Sequence, residues 1–204
     1  MPDLATKLEG RFLELASYRE EFQRRFDRQT HSVSWKFERR QTFRQPSSPS
    51  WKAFSEGDWA TAVRKLEENR PRLTAMFEEM AGRDFVLRRV RVVEEPVTPY
   101  LHWELHSLRV RAQCGEQIRV VPSDSFRQLE INHELPETIT IGEEGLFEIA
   151  YDSTGVLTGG TWVDDRDTLA NWVHFTRTLY ESGEPLLDHF DRSIKDLPPP
   201  AGQD

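Results

Sequence analysis

The sequence predicts an α+β fold, with a mostly antiparallel sheet of four to six strands flanked by helices, on three observations. Stretches that alternate apolar and polar residues recur between longer stretches with a helical repeat. Two of the alternating stretches are joined by the tight turn Asp152-Ser153-Thr154-Gly155, and a long helical stripe stands at the amino end. At 204 residues the chain suits one domain with appended segments. These are an amphipathic helix over residues 1–30, an α+β domain over 31–192 and a disordered tail over 193–204.

The helix over residues 1–30 is predicted from Leu4, Leu8, Phe12, Leu15, Phe22 and Phe26, which follow one another at steps of three, four or seven. Its stripe must be buried against the body of the chain or against a partner helix. Val33, Trp35 and Phe37 alternate with Ser34, Lys36 and Glu38 and predict a strand over 33–43. The linker Q-P-S-S-P-S ends it. Ser48 can then cap a short helix with Pro49 at its first position. Asp58 can cap the next helix, which Pro71 should kink or split.

Residues 83–93 read as a charged strand, and Thr98 with Pro99 opens a helix that Gly115 closes. A further strand is predicted over 117–121, and 138–141 reads as an edge strand. Residues 123–135 have no clear pattern. The segments 146–151 and 156–163 form the predicted hairpin, with Phe147, Ile149 and Tyr151 on one face. Asp164 and Asp165 can cap a last long helix carrying Leu169, Trp172, Val173, Thr176, Leu179 and Tyr180 inward, with a short turn over 185–190 after it.

Six tryptophans and twelve phenylalanines supply a compact interior although only 37% of residues are hydrophobic. The lone Cys114 forms no internal disulfide, the first ten residues lack the apolar run of a secretory signal, and no window is apolar for the length of a membrane span. A cytoplasmic protein without membrane attachment is expected. The net charge of −8 is uneven: 22 basic and 18 acidic side chains over 1–123 leave +4, while 5 and 17 over 124–204 leave −12. The acidic half would repel a phosphate backbone, so direct nucleic-acid binding is not expected. The asymmetry suits self-association or a basic partner, or simply two solvated faces.

No motif dictates a reaction. His102 and His106 have the four-residue helical spacing of metal ligands, but a third ligand is missing and Trp103 stands where a zinc protease has glutamate. They read as two surface or half-buried histidines beside carboxylates, and neither a metal nor a cofactor is expected. Arg88, Arg89 and Arg91 neighbour Glu94, Glu95 and Glu104, so they clamp an anion, pair with these acids or are simply solvated, the last two being favoured. Asp164, Asp165 and Asp167 are explained by helix capping, and Gly159-Gly160 lies in no phosphate-binding pattern.

The runs G-R-D-F-V-L-R-R-V-R-V-V-E-E-P-V-T-P-Y-L-H-W-E-L, C-G-E-Q-I-R-V-V and F-E-I-A-Y-D-S-T-G-V-L-T-G-G-T-W-V-D-D resemble an uncharacterised actinobacterial domain family over about residues 33–181. Residues 88–96, Tyr100 with Glu104, residues 115–119 and residues 151–155 match its pattern in order. The resemblance implies a small cytoplasmic protein encoded near helix-turn-helix regulators, and hence a regulatory partner. The long amino-terminal helix departs from that pattern.

The expected function is a non-enzymatic binding or regulatory module. It would associate with a protein partner, for example a transcription regulator, or with itself, through the amino-terminal helix and the 88–104 surface. The expected binding residues are Glu38, Arg89, Arg91, Tyr100, His102, Trp103 and Glu104, with none assigned to catalysis. An alternative is a small hydrolase or nuclease-like effector with acid-base groups at Glu38, Arg89, Tyr100, His102 and Glu104. A third reading is small-ligand sensing between Trp35, Tyr100, Trp103 and Trp162.

Overall fold

Helical segments separate three of the strands, and that spacing sets the architecture: a strand that returns parallel to its neighbour needs a long crossover, whereas an antiparallel return needs only a turn. The computed structural model describes residues 4, 8–130 and 134–200. In chain order the elements are β1 (Arg11–Glu14), α1 (Leu15–Phe26), β2 (Ser32–Glu38), α2 (Pro49–Ser55), α3 (Trp59–Glu68), α4 (Arg70–Gly82), β3 (Phe85–Val93) and α5 (Pro99–Gln113). They continue as β4 (Gln117–Pro122), β5 (Thr138–Ile141), β6 (Gly145–Tyr151), β7 (Leu157–Val163), α6 (Arg166–Ser182), β8 (Glu184–Pro185) and α7 (Leu186–Ser193). Two single 3-10 turns, Ser123–Ser125 and Arg127–Leu129, occupy much of the segment that has no pattern in the sequence.

The strands form one eight-stranded sheet in the order β1-β7-β6-β5-β2-β3-β4-β8. Its centre is parallel, β2 with β3 and β3 with β4, and its other pairings are antiparallel. The fold is therefore α+β with a mixed sheet, which corrects the expectation of four to six mostly antiparallel strands. The physical reason lies in the crossovers: α2, α3 and α4 intervene between β2 and β3, and α5 between β3 and β4. β5, expected at an edge, is internal between β6 and β2.

The amino-terminal helix is also corrected, because it is 12 residues long and begins only at Leu15. Phe12 lies instead in β1, which pairs antiparallel with β7. That approach is close: a Cβ on Gly159 would lie 2.1 Å from the Leu13 carbonyl oxygen, and one on Gly10 would lie 2.2 Å from that of Trp162. Glycine at both positions lets the strands meet. The apolar stripe is split accordingly, since Phe22 and Phe26 of α1 pack on Phe147 and Phe85, while Leu4 joins the core on the opposite face of the sheet. Residues 1–3 and 5–7 of the expected helix, and 201–204 of the expected tail, lie outside the described residues. Ile194, just past the boundary expected at 192, is buried with Leu186 and Phe190.

Both faces of the sheet are covered. Register places Phe37 beside Val90, and these with Val92, Val121, Leu146 and Val163 pack against Leu169, Trp172 and Leu179 of α6. The same register sets Lys36 beside Arg89 and Glu38 beside Arg91 on the other face, beneath the layer that includes α1, α4 and α5. Among the described residues no helix is long and apolar enough to cross a membrane.

Candidate functional site

Alternation on β2 and β3 points Lys36, Glu38, Arg89 and Arg91 to one face, and the first turns of α5 bring Tyr100 and Glu104 over them. Thr98 caps that helix, its hydroxyl accepting from the Leu101 N–H at 3.0 Å and donating to the Gln41 carbonyl at 2.6 Å, which ties the helix start to the loop after β2.

The charges form a chain of contacts. Lys36 Nζ lies 2.5 Å from Glu38 Oε1, and Arg89 Nη1 donates to Glu38 Oε2 at 2.6 Å. Arg89 Nε donates to Glu116 Oε1 at 2.6 Å, and Arg111 pairs with the other oxygen of Glu116. Arg91 is fully buried and engages all three of its guanidinium nitrogens: Nε donates to Glu104 at 2.8 Å and Nη2 lies 2.7 Å from the same oxygen. Its remaining donors reach the carbonyls of Glu38, Val92 and Arg40. The Tyr100 hydroxyl donates to Glu104 Oε1 at 3.1 Å and accepts from Gln45 at 2.6 Å.

Burial opposes the charges of Glu38, Arg89, Arg91 and Glu116, and the partners decide the outcome. Glu38 is pushed up by burial, yet Arg89, Lys36 and Arg91 outweigh it and hold the carboxyl well below the usual range. Burial likewise works against Arg89, but Glu116 and Glu38 raise it further. Glu137 has the opposite fate. It accepts the Arg39 and Arg40 N–H groups at 2.9 and 2.8 Å and the Tyr151 hydroxyl at 3.2 Å. Burial, helped by the nearby Glu38, still lifts it to about 7.

Above this floor opens a cleft of about 320 Å³, whose lining includes Arg19, Lys36, Glu38, Phe43, Arg44, Gln45, Tyr100, Glu104 and Tyr151. Its size falls at the lower end of small-molecule sites. Lys36 also lines an adjoining cleft of about 380 Å³ together with Arg89 and Arg111. Two larger grooves, of about 790 and 890 Å³, contain none of the seven residues expected from the sequence.

The structure brings Glu38, Tyr100 and Glu104 onto the cleft and places Arg89 and Arg91 beneath them. It separates the other two. His102 and His106 face Trp59 at ring distances of 5.1 and 5.0 Å, and His106 also meets Phe190 at 4.8 Å. Burial lowers both imidazoles, His106 to about 4, and His102 Nε2 and His106 Nδ1 are buried without a hydrogen-bond partner. Among the described residues no group of three or more His, Cys, Asp or Glu is arranged to hold a metal. Trp103 is a packing residue, donating to the Ser50 hydroxyl at 2.9 Å and stacking on Phe54. The aromatic pocket expected from four residues is likewise dispersed: Trp35 meets Tyr180 of α6, and Trp162 meets Phe147.

Sequence reasoning missed Lys36, Glu116, Glu137 and Tyr151 as members of this network. A signal existed for the first: on a strand with helical crossovers on both sides neither face is solvated, so the alternating polar residues had to be read as buried partners. Glu137 had none, since its place depends on where β5 enters the sheet.

Comparison with curated proteins gives no match. Residues 20–191 match the family described as domain of unknown function DUF6879, and with most of its length inside that match the chain belongs to this family.

Proposed function

We propose that the chain is a non-enzymatic binding module whose recognition element is the cleft over Lys36, Glu38, Tyr100 and Glu104, and that its occupant is a small molecule. The observation that carries this reading is the floor of the cleft. Buried ion pairs seldom repay the cost of desolvating both charges, and an apolar floor of equal volume would be at least as stable. A cross-linked set of charges held rigid beneath an opening instead gives the cleft a fixed, preorganised floor on which a ligand can seat.

Some of the side chains expected to meet a protein partner make contacts within the chain. Phe22 and Phe26 of α1 pack on the sheet, and Arg89, Arg91 and Glu104 are buried and paired. The resemblance to actinobacterial proteins encoded beside helix-turn-helix regulators supports a cytoplasmic, regulatory setting in which a protein partner reads the ligated state.

A panel of small metabolites screened by thermal unfolding tests the reading. A ligand present at 100 times its Kd is expected to add about 2.7 kcal/mol to stability. Ser47→Trp, at an exposed position on the cleft lining, is expected to abolish that gain without lowering the ligand-free Tm. Stabilisation that survives this substitution would locate binding elsewhere.

The hydrolase alternative keeps Glu38, Tyr100 and Glu104 on one cleft, and one observation favours it: Glu137, raised to about 7, stands behind Tyr151 of the lining. It predicts turnover of p-nitrophenyl esters that Glu137→Gln removes, whereas the binding reading predicts none.

A further inference from the structure

Charge distinguishes the mouth of the cleft from its floor. Glu38 and Glu104 are each matched by an arginine directly beneath, Arg89 and Arg91, and Lys36 adds a further positive charge at Glu38. At the mouth stand Arg19 and Arg44, both exposed, and among the described residues neither has a carboxylate within ion-pair distance. The lining thus carries three cations against two carboxylates that are already neutralised from below. In a chain of net charge −8 this is a locally positive opening.

The wall is aromatic. Phe43 lies 4.8 Å from Tyr151 and 5.5 Å from Tyr100 between ring centroids, and the three share the cleft lining. The Arg40 guanidinium lies over both Phe43 and Tyr151, at 5.8 and 5.2 Å, so the far side of that wall is held in place by a cation. Phe43 and Tyr100 are buried, so a flat ring inserted here would find edge or offset contact with Tyr151, whose half-buried ring they fix from behind.

We propose that the cleft takes a small molecule made of one flat apolar ring bearing one anionic group, a carboxylate or a phosphate. The ring lies against Tyr151, which Phe43 and Tyr100 back from the interior, and the anion is held between Arg19 and Arg44. This rests on the reading of the cleft as a small-molecule site. Guanidinium groups match the planar geometry of carboxylate and phosphate oxygens, and among the described residues these two arginines of the cleft have no such partner. An organic cation would meet Arg19, Lys36 and Arg44 with no free carboxylate to offset them.

Isothermal titration of the full chain with phenyl phosphate, benzoate, phenol and benzylamine tests the assignment. Phenyl phosphate and benzoate are expected to bind, more weakly as salt is raised, and the Arg19→Gln/Arg44→Gln double variant is expected to lose at least about tenfold in affinity for both. Because both arginines are exposed, the variant should keep the wild-type Tm, and that is checked alongside. Binding of benzylamine without the two anions would overturn the anion assignment while leaving a small-molecule cleft. Anion binding unchanged in the double variant would overturn the placement between Arg19 and Arg44. Failure of all four probes at about 10 mM would remove the assignment together with the reading beneath it.

Discussion

Replacing Arg91 with alanine is expected to lower the unfolding free energy by about 3–5 kcal/mol, the largest effect of any single substitution in the cleft floor. Arg91 is fully buried and each of its guanidinium nitrogens is engaged, so truncation strands the Glu104 carboxylate and leaves the carbonyls of Glu38 and Arg40 short of a donor. The Val92 carbonyl is spared, because Gln41 also donates to it at 3.0 Å. Since most of the loss arises from the stranded carboxylate, Arg91→Met combined with Glu104→Gln is expected to cost less than Arg91→Ala alone. Urea unfolding of the full chain measures both. A cost below about 1 kcal/mol for the alanine variant would show that water reaches Glu104 and that the floor is not the desolvated network described above.

Local structure was written in short stretches of sequence, because helix caps depend on side chains three residues apart. Ser48, Asp58, Thr98 and Asp165 were each legible as caps, and each accepts the expected backbone N–H in the structure. The break at Pro71 was legible too, since the chain divides at Asn69 into α3 and α4. Strand pairing is a different kind of information. β5 lies between β6 and β2, and β1 beside β7, through contacts between residues more than 90 positions apart in the case of β2 with β5 and well over 100 for β1 with β7. No local pattern encodes such a choice. β1 shows how a local pattern misleads, because Leu8, Phe12 and Leu15 have helical spacing while Phe12 in fact sits in an edge strand and is half exposed.

The same division explains the site. Glu38, Tyr100 and Glu104 were legible as a set because two lie one helical turn apart and the third alternates with apolar residues on a strand. Whether Arg89 and Arg91 were free or paired was not, since pairing follows from β2 lying beside β3 in parallel register. His102 and Trp103 belong to the same helix as Tyr100 and Glu104 but to other faces of it. A helix crossing a sheet presents only positions three or four apart to one neighbour, so a run of five chemically suggestive residues never converges as a whole.

Stability between pH 4.5 and 6.5 is expected to combine opposed contributions in the wild-type protein and to tilt in opposite directions in two single variants. Glu137 titrates at about 7 in the fold against an ordinary value of 4.5. The folded state therefore keeps a proton that the unfolded chain releases, and stability falls as pH rises from 4.5 towards 7. His106 titrates at about 4 against an ordinary 6.5, and burial lowers His102 as well. Here the unfolded chain binds the extra proton, so the stabilising contribution is complete above 6.5 and is lost as pH falls towards 4. The two slopes oppose each other across the shared window. Glu137→Gln, which keeps acceptors for the Arg39 and Arg40 N–H groups, is expected to expose the rising limb alone. His106→Phe, among Trp59 and Phe190 and with no hydrogen bond to lose at Nδ1, is expected to expose the falling limb. Urea midpoints measured at half-unit pH steps decide it: tilts of the same sign in both variants would mean that Glu137 is already ionised in the native state.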